Sequence, residues 1–390
     1  MKMVRRSRAL LLTMASAIAV TALSKGGAQG QSSDTQVVKI GVIAPLSGTQ
    51  PARGKIIEVA ASLAIDDLNA ENKGKRKYEM VLLDDGNITH QAVTAAQRLI
   101  RNDNVIAITG IISSSSQKAI QPLAERAMTP VVGMIATATG LTDGFEYAFR
   151  ATGSNDTIGP QITDFIKRSG VTKAAIIGDD STYAQSLVQE AIKGAKAVGI
   201  TITATEVYKT GTADVTAQVA NIRRSGAEAV IAFPIVGADA ATIARTMVEN
   251  GLKLPIYGHN ALFTSEAIKL GGSYFAQLPA VHGAGSVDVS RPIAAAFYAR
   301  MDKAAGFKVP QNEDAAQTYD AIRLISLAVN AADGQRGKPL RDALEKIQGY
   351  VGIAGAEGSA YGFSPTNHTG LTGKYLVQYK YADGAFAPVN

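Results

Sequence analysis

Short, apolar, β-branched runs alternate along this chain with longer stretches in which apolar residues recur every three or four positions. The first half reads "VVKIGVIA", "KIIEVAASLAIDDLNAE", "YEMVLLDD", "HQAVTAAQRLIRN", "VIAITG", "SQKAIQPLAERA" and "PVVGM". In the first long stretch Ile57, Ala60, Ala64 and Leu68 fall on one helical stripe. The short runs are apolar at nearly every position, as strands covered on both faces are. Strand–helix alternation of this kind predicts a doubly wound α/β sheet. After "FEYAFRATGSNDTIGP" the pattern restarts with "AAIIGDD", "YAQSLVQEAIKGAKAVG", "TITATEVY", "VTAQVANIRRSG", "AEAVIAFP", "ATIARTMVENG" and "LPIYGHN". "PAVHGAGS" then leads into two further helices, over 292–305 and 313–332, and Asp383-Gly384 between alternating runs reads as a hairpin. Two series of this length exceed one comfortable core. With no low-complexity tract between them, two domains joined by short crossings are expected.

The N-terminus changes the charge picture. "MKMVRRSRALLLTMASAIAVTALSKGGAQGQ" sets basic residues before a run of about 15 apolar ones and ends in small residues, the order of a cleavable secretory signal over 1–30. A membrane span needs roughly 20. The whole chain carries 39 Lys/Arg against 33 Asp/Glu. Removing the five basic residues of 1–30 leaves 34 against 33, so the argument from basicity to nucleic acid lapses. There is no cysteine, which excludes disulfides, thiol catalysis and a lipid-modified cysteine after the signal. The expectation is a free periplasmic protein, not a lipoprotein. The four histidines lack the spacing of a metal site, so neither metal nor cofactor is expected.

Strand, glycine loop and Gly-Lys follow one another in "KIGVIAPLSGTQPARGKII", which raises the question of a phosphate-binding loop. Gly48 and Gly54 bracket five residues where that loop needs four, and Ile56 stands where its metal-binding hydroxyl belongs. The match fails. In open α/β sheets ligands sit beyond the carboxyl ends of strands, where loops meet helix N-termini. "PLSGTQPAR", "IISSSSQ" and "IATATG" fall on that edge of the first series, and "DDSTY", "PIVGAD" and "HNALF" on that of the second, so two such edges facing each other make a cleft. Ser113 to Ser116 precede a helix; one serine serves as a cap, and four exceed what a cap requires. Free amides with hydroxyls hold a carboxylate without a lysine, and Thr137 and Thr139 lie on the neighbouring loop.

"IGVIAPLSG", "VLLDDGNITHQAV…AAQRLI", "GIISSSS", "PVVGMIATATGLTD", "FRATGSNDTIGP", "IIGDDSTYAQS" and "GFSPTNHTGL" occur in register over nearly all the mature chain. Together they resemble the Leu/Ile/Val-binding branch of periplasmic solute-binding proteins, the type I fold serving ABC importers. The resemblance implies two Rossmann-like lobes hinged by three crossings near Gly153, His282 and Tyr361. Lobe one would comprise 31–153 and 283–360, and lobe two 154–282 and 361–390. It implies that Ser114, with Ser115, and Thr137 hold a ligand carboxylate beside the Ile135 backbone, and that Tyr183 closes over it. It further implies a monomer that hands a small molecule to membrane permease subunits, with no catalysis. A soluble sensor of the same fold is the alternative function, and an enzyme lacks its motifs here: there is no G-x-S-x-G elbow and no dinucleotide glycine fingerprint.

The departures bear on the ligand. Where amino-acid binders of that family place a glutamate for the ammonium, this chain has Asn260, and Arg53 replaces a first-loop tyrosine. An aromatic of the second lobe is absent at Val236. The positions of a disulfide carried by some members are Asn87 and Ser113. A lost carboxylate and a gained guanidinium favour a carboxylate ligand without a free ammonium, such as an aromatic or keto acid, with Arg53 forking onto it. The other reading leaves Arg53 facing solvent and lets Asp179 or Asp239 replace the missing glutamate, which admits an amino acid.

Overall fold

The computed structural model describes residues 35–72 and 75–389; the expected signal lies outside the described residues. The chain begins with β1 (Gln36–Ala44), α1 (Pro51–Asn72), β2 (Arg76–Asp84), α2 (Thr89–Arg101), β3 (Ala107–Thr109), α3 (Ser114–Arg126), β4 (Val131–Gly133) and β5 (Ala148–Arg150). These five strands form a parallel sheet of order β2-β1-β3-β4-β5. Next come α4 (Asn155–Arg168), β6 (Lys173–Asp179), α5 (Thr182–Val198), β7 (Thr201–Tyr208), α6 (Thr216–Arg224), β8 (Ala229–Phe233), α7 (Gly237–Glu249), β9 (Ile256–Gly258), a 3-10 turn (Asn260–Phe263), α8 (Ser265–Phe275) and β10 (Val281–Gly285). In their sheet β7-β6-β8-β9-β10 repeats the order of the first. After α9 (Pro292–Ala305), α10 (Glu313–Ala331) and α11 (Lys338–Glu345), the antiparallel hairpin of β11 (Val377–Ala382) and β12 (Ala385–Pro388) completes the second sheet beside β10. Asp383 and Gly384 turn that hairpin with positive φ, as its sequence predicts.

Each sheet reverses its strand order next to its first strand, and the loops that flank this point gather there. Gly54, which gave the sequence its phosphate-loop look, has a packing reason. A Cβ there would lie 2.2 Å from the Pro45 carbonyl oxygen, so only glycine lets α1 start against the end of β1. Lys55 pairs with Glu58 on the surface.

The chain passes between the sheets three times. It leaves the first after β5, and α4 packs on α5. The second and third crossings lie later than expected. His282 is inside β10, opposite Lys380, and the chain leaves that sheet only after Gly285. Tyr361 is bridged to Tyr350 and Leu371, and the chain rejoins the second sheet at Val377. "VHGAG" hides a strand among small residues, and the 346–376 stretch is held by isolated backbone bridges and by side chains instead of a continuous ladder, so neither boundary shows as a break in apolar runs.

The crossings touch. Gly153 of the first runs over the ring of Tyr375 of the third, where a Cβ would meet the hydroxyl at 1.7 Å. The Gln317 amide donates to Thr152 Oγ1 at 3.0 Å and Ser286 Oγ at 2.9 Å, joining the first crossing to the second. Buried Arg291 gathers the carbonyls of Gly352, Ile353, Ala354 and Gly355. Asp320 accepts from the N–H groups of Ile353 and Ala354, both at 2.9 Å, and from the Tyr361 hydroxyl. This clamp holds Gly355, whose N–H donates to Ser286 O at 2.6 Å. Arg291→Met therefore strands four buried carbonyls and is expected to lower unfolding stability by about 3 kcal/mol or more, read by urea denaturation; a loss within about 0.5 kcal/mol, the range of an unimportant surface change, would remove the clamp from the account.

Candidate functional site

The site begins at the N-terminus of α3. Ser113 is the cap, its Oγ accepting from Ser116 N at 3.3 Å. Ser114 and Ser115 then occupy the first helical positions, where backbone N–H groups have no intrahelical partner. Among the described residues nothing else takes these two N–H groups. Ser114 is buried, and its Oγ accepts from Ala138 N at 3.3 Å, which fixes the loop after β4 against the helix start. In that loop Ile135 is buried with its backbone N–H unbonded among the described residues. Thr137 is 1 % exposed and its Oγ1 has no hydrogen-bond partner. Two free helix amides, a loop amide and an orphaned hydroxyl thus lie on adjoining loops, and all can donate.

The second series closes over them. Ser115 Oγ donates to Thr182 Oγ1 at 2.9 Å, and Thr139 N donates to Ser186 Oγ at 2.9 Å, so α3 and its neighbouring loop are bonded directly to α5. Ser115, expected to serve the ligand through its hydroxyl, spends that proton on the seam between the lobes. Asn155 stitches the same place: its N–H donates to Thr137 O at 2.7 Å and its amide to Tyr183 O at 3.1 Å. Tyr183 is buried, with its hydroxyl 3.1 Å from His259 Nδ1. Burial holds the His259 pKa down at about 3, so the ring is neutral, and burial raises that of Tyr183 well above the usual tyrosine range. Asn260, at the start of the 3-10 turn, is half-buried and its side chain makes no hydrogen bond among the described residues.

The structure corrects the reading of Arg53. It neither faces solvent nor offers a free fork. Nε lies 3.1 and 2.9 Å from the two oxygens of Asp314, Nη2 lies 2.6 Å from Oδ1, and Nη1 donates to Gln50 Oε1 at 2.8 Å. Its partner is 261 residues away at the start of α10, and both side chains are buried. The guanidinium expected to receive a carboxylate is already neutralised. Asp179 and Asp239 are also committed. Asp179 accepts from Ser181 N at 2.9 Å and Ile235 N at 2.6 Å, tying the β6 and β8 loops together, and Asp239 accepts from Gly211 N at 3.0 Å.

One acidic group near the seam keeps one oxygen free. Glu313, beside Asp314, is 3 % exposed, and its Oε1 has no partner. Burial raises its pKa to about 7, with the Asp314 charge pushing the same way, while backbone N–H groups of Glu313 itself and Ser286 and the Arg53 charge oppose. Tyr183 of the second lobe feels the charges of both Glu313 and Arg53, which places them around one region. Sequence reading missed Glu313, Asp314, His259 and Asn155. Asn312-Glu313-Asp314 reads as a cap and acidic first turn, and indeed the Asn312 side chain accepts from Asp314 N at 3.2 Å.

Residues 37–385 match the family described as periplasmic binding protein. An amino acid binding protein of Pseudomonas aeruginosa is 31% identical over 243 residues, covering 60% of this chain and 63% of that protein, so the match spans less than two thirds of its length. A leucine binding protein from Thermotoga maritima superposes with a TM-score of 0.80 at 21% identity, over 90% of this chain and 98% of that one. A solute-binding protein of R. palustris in complex with 4-hydroxybenzoate superposes at 0.78 with 20% identity, over 91% and 96%. At these identities the two structures share the type I two-lobed fold and no more. Breaking the buried pair leaves a charge alone: Arg53→Met is expected to cost about 3–5 kcal/mol, and Arg53→Met with Asp314→Leu distinctly less. Chemical denaturation decides, and equal losses for the single and double variants would contradict a mutually dependent pair.

Proposed function

The chain belongs to the periplasmic binding protein family, and from that premise we propose that it captures a small carboxylate-bearing solute between its lobes and delivers it to the permease subunits of an ABC importer. The observation that carries this reading is the orphaned Thr137 hydroxyl beside the free amides of Ser114, Ser115 and Ile135. A carboxylate accepts from all of these, favoured by the positive end of the α3 dipole. Tyr183, His259 and Asn260 cover it from the second lobe. Ligand binding then favours the closed form, because only there do both sets of contacts exist together. A permease that engages the closed form takes loaded protein over empty, and ATP hydrolysis belongs to its partner subunits.

Charge narrows the solute. With Arg53 balanced by Asp314, the net charge left by the group is that of Glu313. A ligand of net negative charge meets no spare cation, whereas one that brings an ammonium finds the free oxygen of the Glu313 carboxyl. An α-amino acid fits this balance better than an aromatic or keto acid, reversing the preference drawn from Arg53 as a free guanidinium. The name of the Pseudomonas relative agrees with that choice.

The pH dependence separates the two ligand classes. An ammonium binds the ionised form of Glu313, so affinity for an amino acid rises with pH, by at most tenfold per unit, and levels above about 7. A ligand without an ammonium prefers the protonated form, so its affinity falls as pH rises through the same range. Calorimetric titration with leucine-like amino acids and with keto and benzoate-like acids from pH 5.5 to 8 should give the rising curve, flattened by Glu313→Gln. Tight binding of keto acids with a falling curve would overturn the amino-acid assignment while leaving carboxylate capture intact. Replacing Thr137 by Val should weaken any carboxylate ligand on the order of tenfold, and unchanged affinity would remove the carboxylate seat itself.

A further inference from the structure

A groove of about 1140 Å3 is lined by the loop after β4, the start of α4, α11 and the 365–372 stretch, and neither Ser114, Thr137 nor Tyr183 lines it. Arg150, at the end of β5, lies in it and is only 2 % exposed. Its Nε donates to Thr369 Oγ1 at 2.9 Å and its Nη1 to Ala138 O at 2.8 Å. Nη2 has no partner among the described residues, and no carboxylate there pairs with the guanidinium. Burial lowers its pKa only to about 10, so it stays charged at neutral pH. A guanidinium buried without a paired counter-charge is costly; Arg53 and Arg341 each have a carboxylate in direct contact, whereas Arg150 feels Asp156 and Asp143 only at longer range.

Two further groups beside it lack an acceptor or donor in the same way. Ser154 stands at the N-cap of α4, a 14-residue helix, yet its side chain makes no capping bond. It is 4 % exposed, lines the groove, and its Oγ has no partner. Within the first turn, Asn155 N is taken by Thr137 O at 2.7 Å, while Asp156 N is free among the described residues. The same loop holds both features: Thr137 O receives the start of α4 and the adjacent Ala138 O receives Arg150. A buried cation, an idle hydroxyl and an open helix N-terminus therefore converge on one wall. Elsewhere on the lining, Lys338 and Arg341 are engaged by Asp342 and Glu146, whereas Lys346, Asp143 and Asp156 are exposed. The lining as a whole carries five carboxylates against four cations, and Arg150 is the one of those cations that is buried with no carboxylate in direct contact, the charges of Asp156 and Asp143 acting on it only from a distance.

We propose that this groove is a second ligand site, which takes a small oxyanion, a carboxylate or a phosphate, on Arg150 and Ser154 at the N-terminus of α4. The volume admits an organic molecule that carries such a group as well as the free ion. The chemistry is that of a guanidinium forked onto planar oxygens, assisted by a helix dipole. Occupancy here does not depend on the cleft, and it does not rest on the importer reading.

The test is calorimetric titration of the full chain with inorganic phosphate and with acetate at constant ionic strength. The wild type should bind at least one of them, and phosphate alone or acetate alone names the source chemistry. Arg150→Gln should bind on the order of tenfold more weakly. Ser154→Asp places a carboxylate in cis beside Arg150 and caps α4, so it should melt at a higher temperature than the wild type and lose the added-anion response. Thr137→Val, which affects the cleft, should leave the response in place; loss of the response in Thr137→Val alone would assign the anion to the cleft and overturn the proposal. No binding of either probe by the wild type, or unchanged binding in Ser154→Asp, would also overturn it. Should Arg150→Gln fail to fold, Ser154→Asp decides by itself.

Discussion

Polar groups buried where the two lobes meet, without partners among the described residues, are the constraint on which the rest of this molecule turns. The Thr137 hydroxyl, the first amides of α3 and the N–H of Ile135 are all in this condition. Each buried group left unpaired costs about 1–3 kcal/mol. The lobes are nevertheless bonded to one another through Ser115 and Thr182, Thr139 and Ser186, and Asn155 and Tyr183. In the proposed reading, direct bonds make closure possible, and the unmet groups make it unfavourable when empty. A solute that satisfies them shifts the balance, so the energetic coupling between binding and shape is local and needs no distant relay.

Charge is managed by the same economy. Arg53 and Asp314 come from α1 and α10 and are fully engaged with each other, so the pair is a strut between the two helices. Neighbouring Glu313 carries the remaining acidic function, and burial brings its ionisation into the neutral range. One helix start thus supplies both a structural and an adaptable carboxyl. A turn later the same helix reaches the hinge, where Gln317 joins Thr152 to Ser286. The α10 N-terminus thus lies one turn from the contact between the first and second crossings.

Much of this was legible in the chain. The two alternating series translate into two sheets that share one five-strand parallel order, because fully apolar short runs bury both faces. Of the serine run, Ser113 is the cap of α3, while the hydroxyls of Ser114 and Ser115 are taken by the loop after β4 and by α5, which leaves only their backbone N–H groups open. What failed was long-range. Arg53 looked free because its partner lies 261 residues on, in a Glu-Asp pair that any helix start carries. His259 looked scattered because its contact with Tyr183 spans 76 residues. The crossings after β10 and before β11 are held by Arg291, Asp320 and Tyr375, which no periodicity announces.

The central claim is that closure is driven by a solute that satisfies groups buried at the seam. Small-angle X-ray scattering across a panel of amino acids and simple carboxylic acids tests it most directly. The account predicts that at least one amino acid makes the wild type more compact, and that the same concentration leaves the Thr137→Val protein unchanged. Superimposable curves for the wild type with every solute, each at saturating concentration, would contradict it.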